Sequence, residues 1–318
     1  MIDFRYHLVS LIAVFLALAL GIVLGSGPLR EAIGDSVSGR TQELEQQVSE
    51  LQGERDAAVA DRDAADAALE AAGAGLVEGV LPGHRVAVVA LGDVPDEVRA
   101  ALDERLTQAG ATVSAHVALT DAWYDPAQRS FRQGLVGFLL DYLDPVPPAG
   151  AGLEAELSQA LVQGLVAADP AAPDQRTEDA SVLLELLSTG DTPLVSLEAP
   201  VTEPADAVVV LAPAEVADTA SALALVRAAQ EGSSAAVLAE AGDASLAAAV
   251  LGAPDMAGSL ATVSGVDGVV GQIGVPLALA QRAAGTVGHY GSGEGLSPLP
   301  PRVVATAPDR TPVVPATP

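Results

Sequence analysis

The sequence predicts an α/β protein: an N-terminal transmembrane helix and a coiled-coil stalk, followed by a mostly parallel, three-layer α/β domain. Three observations lead to this fold class. An uncharged apolar run lies near the N-terminus, a long segment of helix-forming residues follows it, and apolar runs then alternate with helical patterns. We expect a cytoplasmic head and anchor at 1–29, a stalk at 30–75, the α/β domain at 76–296 and a Pro-rich disordered tail at 297–318.

The apolar run, Leu8 to Leu24, predicts a membrane anchor. No charged residue lies between Arg5 and Arg30, and a spanning helix needs about 20 mostly apolar residues. A cleaved signal peptide and a buried core helix are the alternatives. The anchor is favoured because a signal peptide has an apolar core of about 7–15 residues, and because a cytosolic helix normally carries a polar face.

The flanking charges determine the orientation of the anchor less clearly than the apolar run predicts the anchor itself. Arg5 precedes the run, whereas Arg30 and Arg40 follow it, and this count does not favour a cytoplasmic N-terminus. A large domain can nevertheless translocate regardless of its charges. We therefore expect a single pass through the cytoplasmic membrane, with the soluble domain outside the cytoplasm.

The stalk segment, Arg40 to Ala72, is rich in helix-forming residues and has Gly53 as its one breaker. Steps of four and three residues connect Leu44, Val48, Leu51, Arg55, Ala58, Arg62, Ala65, Leu69 and Ala72. This spacing predicts a coiled coil, and hence self-association through the stalk. A single solvated helix is the alternative, because arginine and alanine occupy much of the seam. The glycines of 73–83 predict the end of the helix.

Strand and helix patterns alternate in the α/β domain. Arg85 to Leu91 and Ala111 to Leu119 read as parallel strands joined by a helix between Pro95 and Gly110. The pattern recurs with strands at 206–211, 235–239 and 262–266 and helices at 214–230, 243–251 and 271–284. Residues 125–188 read as helices that form an insertion or a cap. The tail contains seven prolines after residue 296, which predicts an extended, disordered chain.

Composition excludes several classes of function. The net charge of -27 disfavours nucleic-acid binding. The chain contains no lysine, which P-loops and Schiff-base enzymes require. It contains no cysteine, so disulfides, thiolate metal sites and cysteine nucleophiles are excluded. Neither G-x-S-x-G nor H-E-x-x-H occurs. We expect no catalytic residues, no cofactor-binding residues and no enzymatic activity.

Three histidines are candidate metal ligands. His84 precedes the first strand and His116 lies in the second, so neighbouring strands could bring them together; His289 lies near the tail. Imidazole suits copper(II), although capped or partly exposed histidines are the alternative.

A glycine-rich segment surrounds His289. Gly288, His289, Tyr290, Gly291 and Gly293 read either as a ligand or partner loop, or as a structural turn.

The opening from His7 to Gly27, the stalk, and the closing motif Gly288 to Gly293 together resemble the mycobacterial copper transport protein B (MctB) family of actinobacteria. The resemblance implies a cell-envelope protein with a role in copper efflux or homeostasis. It is also the only reason to consider copper as a ligand. Relatives are also associated with cell separation alongside a membrane partner.

Two functions therefore stay open. The first is an indirect role in copper homeostasis, or a role as part of a complex. The second is a non-catalytic scaffold for envelope growth or cell separation that binds another membrane or envelope protein. An enzyme with an open α/β cleft is the least supported function, because no catalytic motif occurs and the Ser, His and Asp residues are dispersed along the sequence.

Overall fold

The computed structural model describes residues 4–26, 28–242, 245–293 and 295–313, with side chains for 6–23, 40, 42–242 and the later ranges. The chain divides into two compact units, Met1–Ala65 and Asp66–Pro318. The helices are α1 (Phe4–Ser26), α2 (Pro28–Val77), α3 (Asp96–Gln108), α4 (Asp121–Tyr124), α5 (Arg129–Leu139), α6 (Leu153–Val166), α7 (Glu178–Ser188), α8 (Thr219–Gly232), α9 (Ser245–Leu251), α10 (Pro254–Ala257) and α11 (Val269–Ala283). The strands are β1 (Arg85–Ala90), β2 (Thr112–Leu119), β3 (Ala168–Asp169), β4 (Ala172–Arg176), β5 (Val195–Leu197), β6 (Ala207–Ala212), β7 (Ala235–Glu240), β8 (Ala261–Ser264) and β9 (His289–Tyr290).

Helix α1 is the membrane-span candidate among the described residues. Its segment Tyr6–Val23 has a mean hydropathy of 2.4, and none of this segment is buried. Length and composition are sufficient to cross a bilayer, although an N-terminal signal sequence meets the same criteria.

The predicted stalk is helical. Its side chains Leu44, Val48 and Leu51 are exposed. Helix α2 ends at Val77, within the glycine-rich segment 73–83 where the sequence predicted the end of the stalk helix. A Cβ atom at Gly73 would lie 2.7 Å from Cδ1 of Ile273, so this glycine permits α2 to pack closely on α11 rather than ending the helix.

The second unit is built on a mixed seven-stranded sheet with strand order β5-β2-β1-β6-β7-β8-β9. Its pairings are parallel except at the edge, where β5 runs antiparallel to β2. Every residue of β1, β6 and β7 is buried, which confirms the expectation drawn from their continuous apolar runs. The edge strand β5 and the small β3–β4 hairpin were not predicted.

Both faces of the sheet are covered. In β1, Val86 and Val88 pack with α3 and α11 in one buried cluster, whereas Ala87 and Val89 pack in the other with the insertion helices α5 to α7 and with α8. Alternation along the strand sends successive side chains to opposite faces. The predicted helical insertion and α8 therefore cover one face together.

The C-terminal segment differs from the predicted disordered tail. Residues 297–313 are extended, as expected, but they are bonded to the domain. The N–H of Ala305 donates to the carbonyl of Val80 at 2.8 Å, and Ala305 is buried. Arg302 donates to the carbonyls of Leu76 (3.2 Å) and Glu78 (2.8 Å), which lie at the end of α2. Arginine thus satisfies helix-terminal acceptors. Residues 314–318 of the predicted tail lie outside the described residues.

We expect Ala305→Glu to destabilise the domain, because it places a carboxylate among buried apolar groups. The cost should be about 2–4 kcal/mol, measured by thermal or denaturant unfolding. Ala307→Glu, two residues further along at an exposed position, is the matched control and should change stability by less than about 0.5 kcal/mol. Equal, small effects of both changes would show that the segment does not pack on the domain.

Candidate functional site

His289 is held by two protein partners. Its Nε2–H donates to the carbonyl of Ala257 at 3.0 Å, and its Nδ1 accepts from the hydroxyl of Thr262 at 3.0 Å. The carbonyl can only accept, so it sets the tautomer of the ring. A metal ion at His289 would have to displace one of these bonds.

The glycine-rich segment around His289 is a closed turn. The N–H of Gly291 donates to Ser297 O at 2.8 Å, and the N–H of Ser297 donates to His289 O at 2.9 Å. The buried Tyr290 donates its hydroxyl to Gln281 Oε1, and burial raises the pKa of Tyr290.

Two glycines of the motif have steric reasons for their presence. A Cβ atom at Gly288 would collide with the hydroxyl of Tyr290, and one at Gly291 would collide with Oγ of Ser264. Gly291 also has φ 129°, which only glycine adopts readily. These contacts favour the structural reading of the motif over the ligand loop.

His84 lies at the end of the sheet where β1 begins. It is 3 % exposed, and burial lowers its pKa. Its Nδ1 is buried and has no hydrogen-bond partner within the described residues. The ring lines a cavity of about 390 Å³ together with Asp206, Thr306 and Asp309. The C-terminal segment supplies part of this lining, which sequence patterns did not predict.

His116 lies at the side of the sheet, beneath α3. Its Nε2 is 3.2 Å from Oδ2 of Asp103, and this hydrogen bond raises the pKa of His116. The ring lines a cavity of about 280 Å³ with Arg99 and Glu198. Nδ1 of His116, Oδ1 of Asp103 and Nε of Arg99 are buried without hydrogen-bond partners in the described chain.

Sequence reasoning did not identify Asp103 and Arg99 as neighbours of His116. The sequence feature that could have identified them is their four-residue spacing on α3, which places both side chains on the same helix face. A side-chain carboxylate partner of this kind often orients an imidazole that binds a metal. Arg99 brings a positive charge to the same cavity, however, and this disfavours a cation there.

The structure does not bring His84 and His116 together. The N–H of Thr112 donates to the carbonyl of His84, while His116 pairs with Val88. The two histidines are thus four residues apart along neighbouring strands, or roughly 13 Å. Across the described residues, no group of three or more histidine, aspartate or glutamate side chains is arranged to hold a metal ion. An isolated imidazole is a weak copper ligand set.

The carboxyl ends of the strands, where open α/β sheets usually bind ligands, are occupied by groups that hold the fold. Tyr124 donates its hydroxyl to Leu91 O at 2.8 Å, and burial raises the pKa of Tyr124. The buried carboxylate of Glu240 accepts hydrogen bonds from Ser245 Oγ, Leu246 N and Ala247 N. Both groups are therefore engaged in packing and capping.

Comparison with known proteins identifies the chain's relatives. Residues 1–301 match the sequence model of a family described as "Copper transport outer membrane protein, MctB". The chain is 32% identical to the copper transporter MctB of Mycobacterium bovis over 314 residues, which covers 93% of this chain and 98% of the relative. The Mycobacterium tuberculosis H37Rv protein of the same name gives the same values. The Mycobacterium leprae protein is 34% identical over 199 residues, 60% of this chain and 61% of the relative.

Gly288→Ala should destabilise the domain by about 2 kcal/mol or more, because the new methyl group would displace the Tyr290 ring from its buried position. The measurement is denaturant unfolding of the full chain. Gly75→Ala is the matched control, since a Cβ atom there meets nothing within 4 Å. If Gly288→Ala is as stable as Gly75→Ala, the turn is not the rigid structure described above.

Substitution of His116 and of His84 should change the free energy of unfolding with opposite dependences on pH. The folded pKa of His116 is raised, so its contribution to stability is fully present below the unfolded pKa of about 6.5 and is lost as pH rises through the folded pKa. His116→Gln should therefore destabilise the protein more at pH 6 than at pH 8.

The folded pKa of His84 is lowered, so protonation opposes folding as pH falls, and His84→Gln should destabilise the protein less at pH 6 than at pH 8. Unfolding curves at both values test this, and the same sign for both variants would contradict it.

Proposed function

Because this chain belongs to the MctB family of copper transport proteins, we propose that it is a membrane-anchored envelope protein that supports copper efflux or homeostasis as part of a complex. In this proposal another membrane protein provides the path for copper. The chain supplies a tethered α/β domain that binds that protein. Copper is the cargo of the complex rather than a resident cofactor of this domain.

The observation that carries the proposal is the absence, within the described residues, of a three-donor metal cluster. Copper handling without such a cluster requires ligands from elsewhere. The single apolar helix α1 points the same way, because one helix satisfies its own backbone but encloses no pore. A pore made by several copies would need polar side chains that face inward, and Ser10 is the one clearly polar residue between Leu8 and Leu24.

The proposed location is the cytoplasmic membrane, with a single pass and the α/β domain outside the cytoplasm. Its basis is α1, whose length and composition match one bilayer span. The description of the family refers to an outer membrane, so membrane fractionation is part of the test below. We also propose that the exposed seam of α2, at Leu44, Val48 and Leu51, supports a coiled coil between copies.

A second candidate function is a non-catalytic scaffold for envelope growth or cell separation. The exposed aromatic side chains of α5 favour it, because Phe131 and Phe138 are 44% and 66% exposed on an otherwise well-packed domain. Exposed aromatic residues are typical anchors of protein interfaces. This function differs from the first in requiring no dependence on copper.

The test is quantitative pull-down of the tagged full chain from fractionated membranes, with copper added or withheld. We expect the chain in the cytoplasmic-membrane fraction, a co-purifying membrane protein whose recovery rises with copper, and copper sensitivity when the chain is deleted. An untagged strain is the control. Recovery that ignores copper, together with normal copper tolerance and mislocalised septa on deletion, would favour the scaffold. Absence of any partner above the control in both conditions would contradict both functions.

A further inference from the structure

Helix α5 exposes the aromatic residues that a core would normally enclose. Phe131 and Phe138 are the only phenylalanines after residue 15 of the sequence, and both are exposed. Leu135, half-buried, lies between them. The spacing of four and three residues puts the three side chains on one helix face. They form an apolar ridge on the surface, while Val136 and Leu139 face the core.

A groove of small residues runs beside this ridge. Ser130, Gly134 and Gly137 are exposed, and a Cβ atom at either glycine would meet nothing within 4 Å. Glycine and serine permit close approach of another helix. The ridge and the groove together are hereafter called the α5 face. When a second copy is turned antiparallel about a two-fold axis at Gly134, the ridge of one copy lies along the ridge of the other, and the two grooves face each other.

The distribution of charge favours contact between copies at this face. The chain carries a net charge of -27, so two copies repel each other over most of their surfaces. Helix α5 contains no acidic residue. Arg129 begins the helix and Asp141 follows its end. Both side chains are exposed, and neither forms a salt bridge within the described residues. An antiparallel copy brings the Arg129 end of each helix to the Asp141 end of the other.

We propose that the α5 face is a self-association site, at which the α/β domains of two copies pack in an antiparallel, two-fold arrangement. Gly134 lies next to the symmetry axis, and Phe131 of each copy lies against Phe138 of the other. One helix face buries less than the roughly 1,200 Å² of a stable interface. The contact therefore depends on high local concentration, which rests on the membrane anchor proposed above.

The absence of cysteine from the natural chain makes a direct test available. We would introduce Gly134→Cys into the full chain, expose membranes to mild oxidation, and measure the fraction of covalent dimer. Disulfides form only when Cα atoms approach within about 7 Å. Ser181→Cys, at an exposed position on α7, is the matched control. We expect at least roughly tenfold more dimer from Gly134→Cys than from Ser181→Cys.

A second set of variants separates this face from the stalk. Adding Phe131→Asp and Phe138→Asp to Gly134→Cys should reduce the dimer roughly thirtyfold, because both anchors are lost and acidic residues face each other. Phe138→Gln alone is a milder change at the more exposed position, and it should reduce the dimer in the same direction. Thermal unfolding checks that each variant remains folded.

The proposal is overturned if, in chains that fractionate with membranes, Gly134→Cys gives no more dimer than Ser181→Cys. It is equally overturned if the dimer survives loss of both phenylalanines, or if Gly134→Cys crosslinks to a protein of different mass instead of to itself. Recovery of the chain in the soluble fraction would contradict the anchor separately, so the two failures are distinguishable.

Discussion

The burial of both faces of the central sheet is the constraint on which the domain depends. Strands β1, β6 and β7 consist almost entirely of alanine, valine and leucine, and all their residues are buried. Each buried valine or leucine side chain contributes about 1.5–3 kcal/mol relative to exposure. Helices must therefore cover both sides, which α3 and α11 do on one face and the insertion helices do on the other. In these three strands the polar residues, Arg85 and Glu240, lie at the strand ends, and the candidate histidines also lie at the ends and edges of the sheet.

At those edges and ends, the polar groups hold the fold together. His289 uses both ring nitrogens on protein partners, Glu240 accepts three hydrogen bonds, and Arg302 satisfies the carbonyls that end α2. His84 and His116 retain an unsatisfied nitrogen each, but they lie on separate cavities. In the proposed function, the role of this chain in copper transport therefore comes from binding a partner and not from a metal site of its own.

Elements that follow from local sequence patterns could be predicted from the sequence, whereas contacts between residues distant in sequence could not. The apolar runs predicted β1, β6 and β7 to within about two residues, because strands buried on both faces are continuously apolar in the local sequence. Strand β2, which is only partly buried, was predicted as closely from its apolar run after the first helix. Strand β5 was missed because it has three residues between Pro193 and Pro200. The bound C-terminal segment depends on contacts between residues far apart in sequence, and no local pattern encodes them. The four-residue spacing of Arg99 and Asp103 indicated a shared helix face, but it did not indicate that this face lies against His116. The coiled coil and the orientation of α1 stay predictions.

The copper content of the isolated chain tests the central claim most directly. The full chain, purified in detergent without partners, would be dialysed against micromolar copper(II), and bound metal would be counted per chain by elemental analysis. The account predicts that no copper is retained after dialysis against copper-free buffer. One retained copper per chain that is lost on His116→Gln or His84→Gln would contradict it, because the domain itself would then hold the metal.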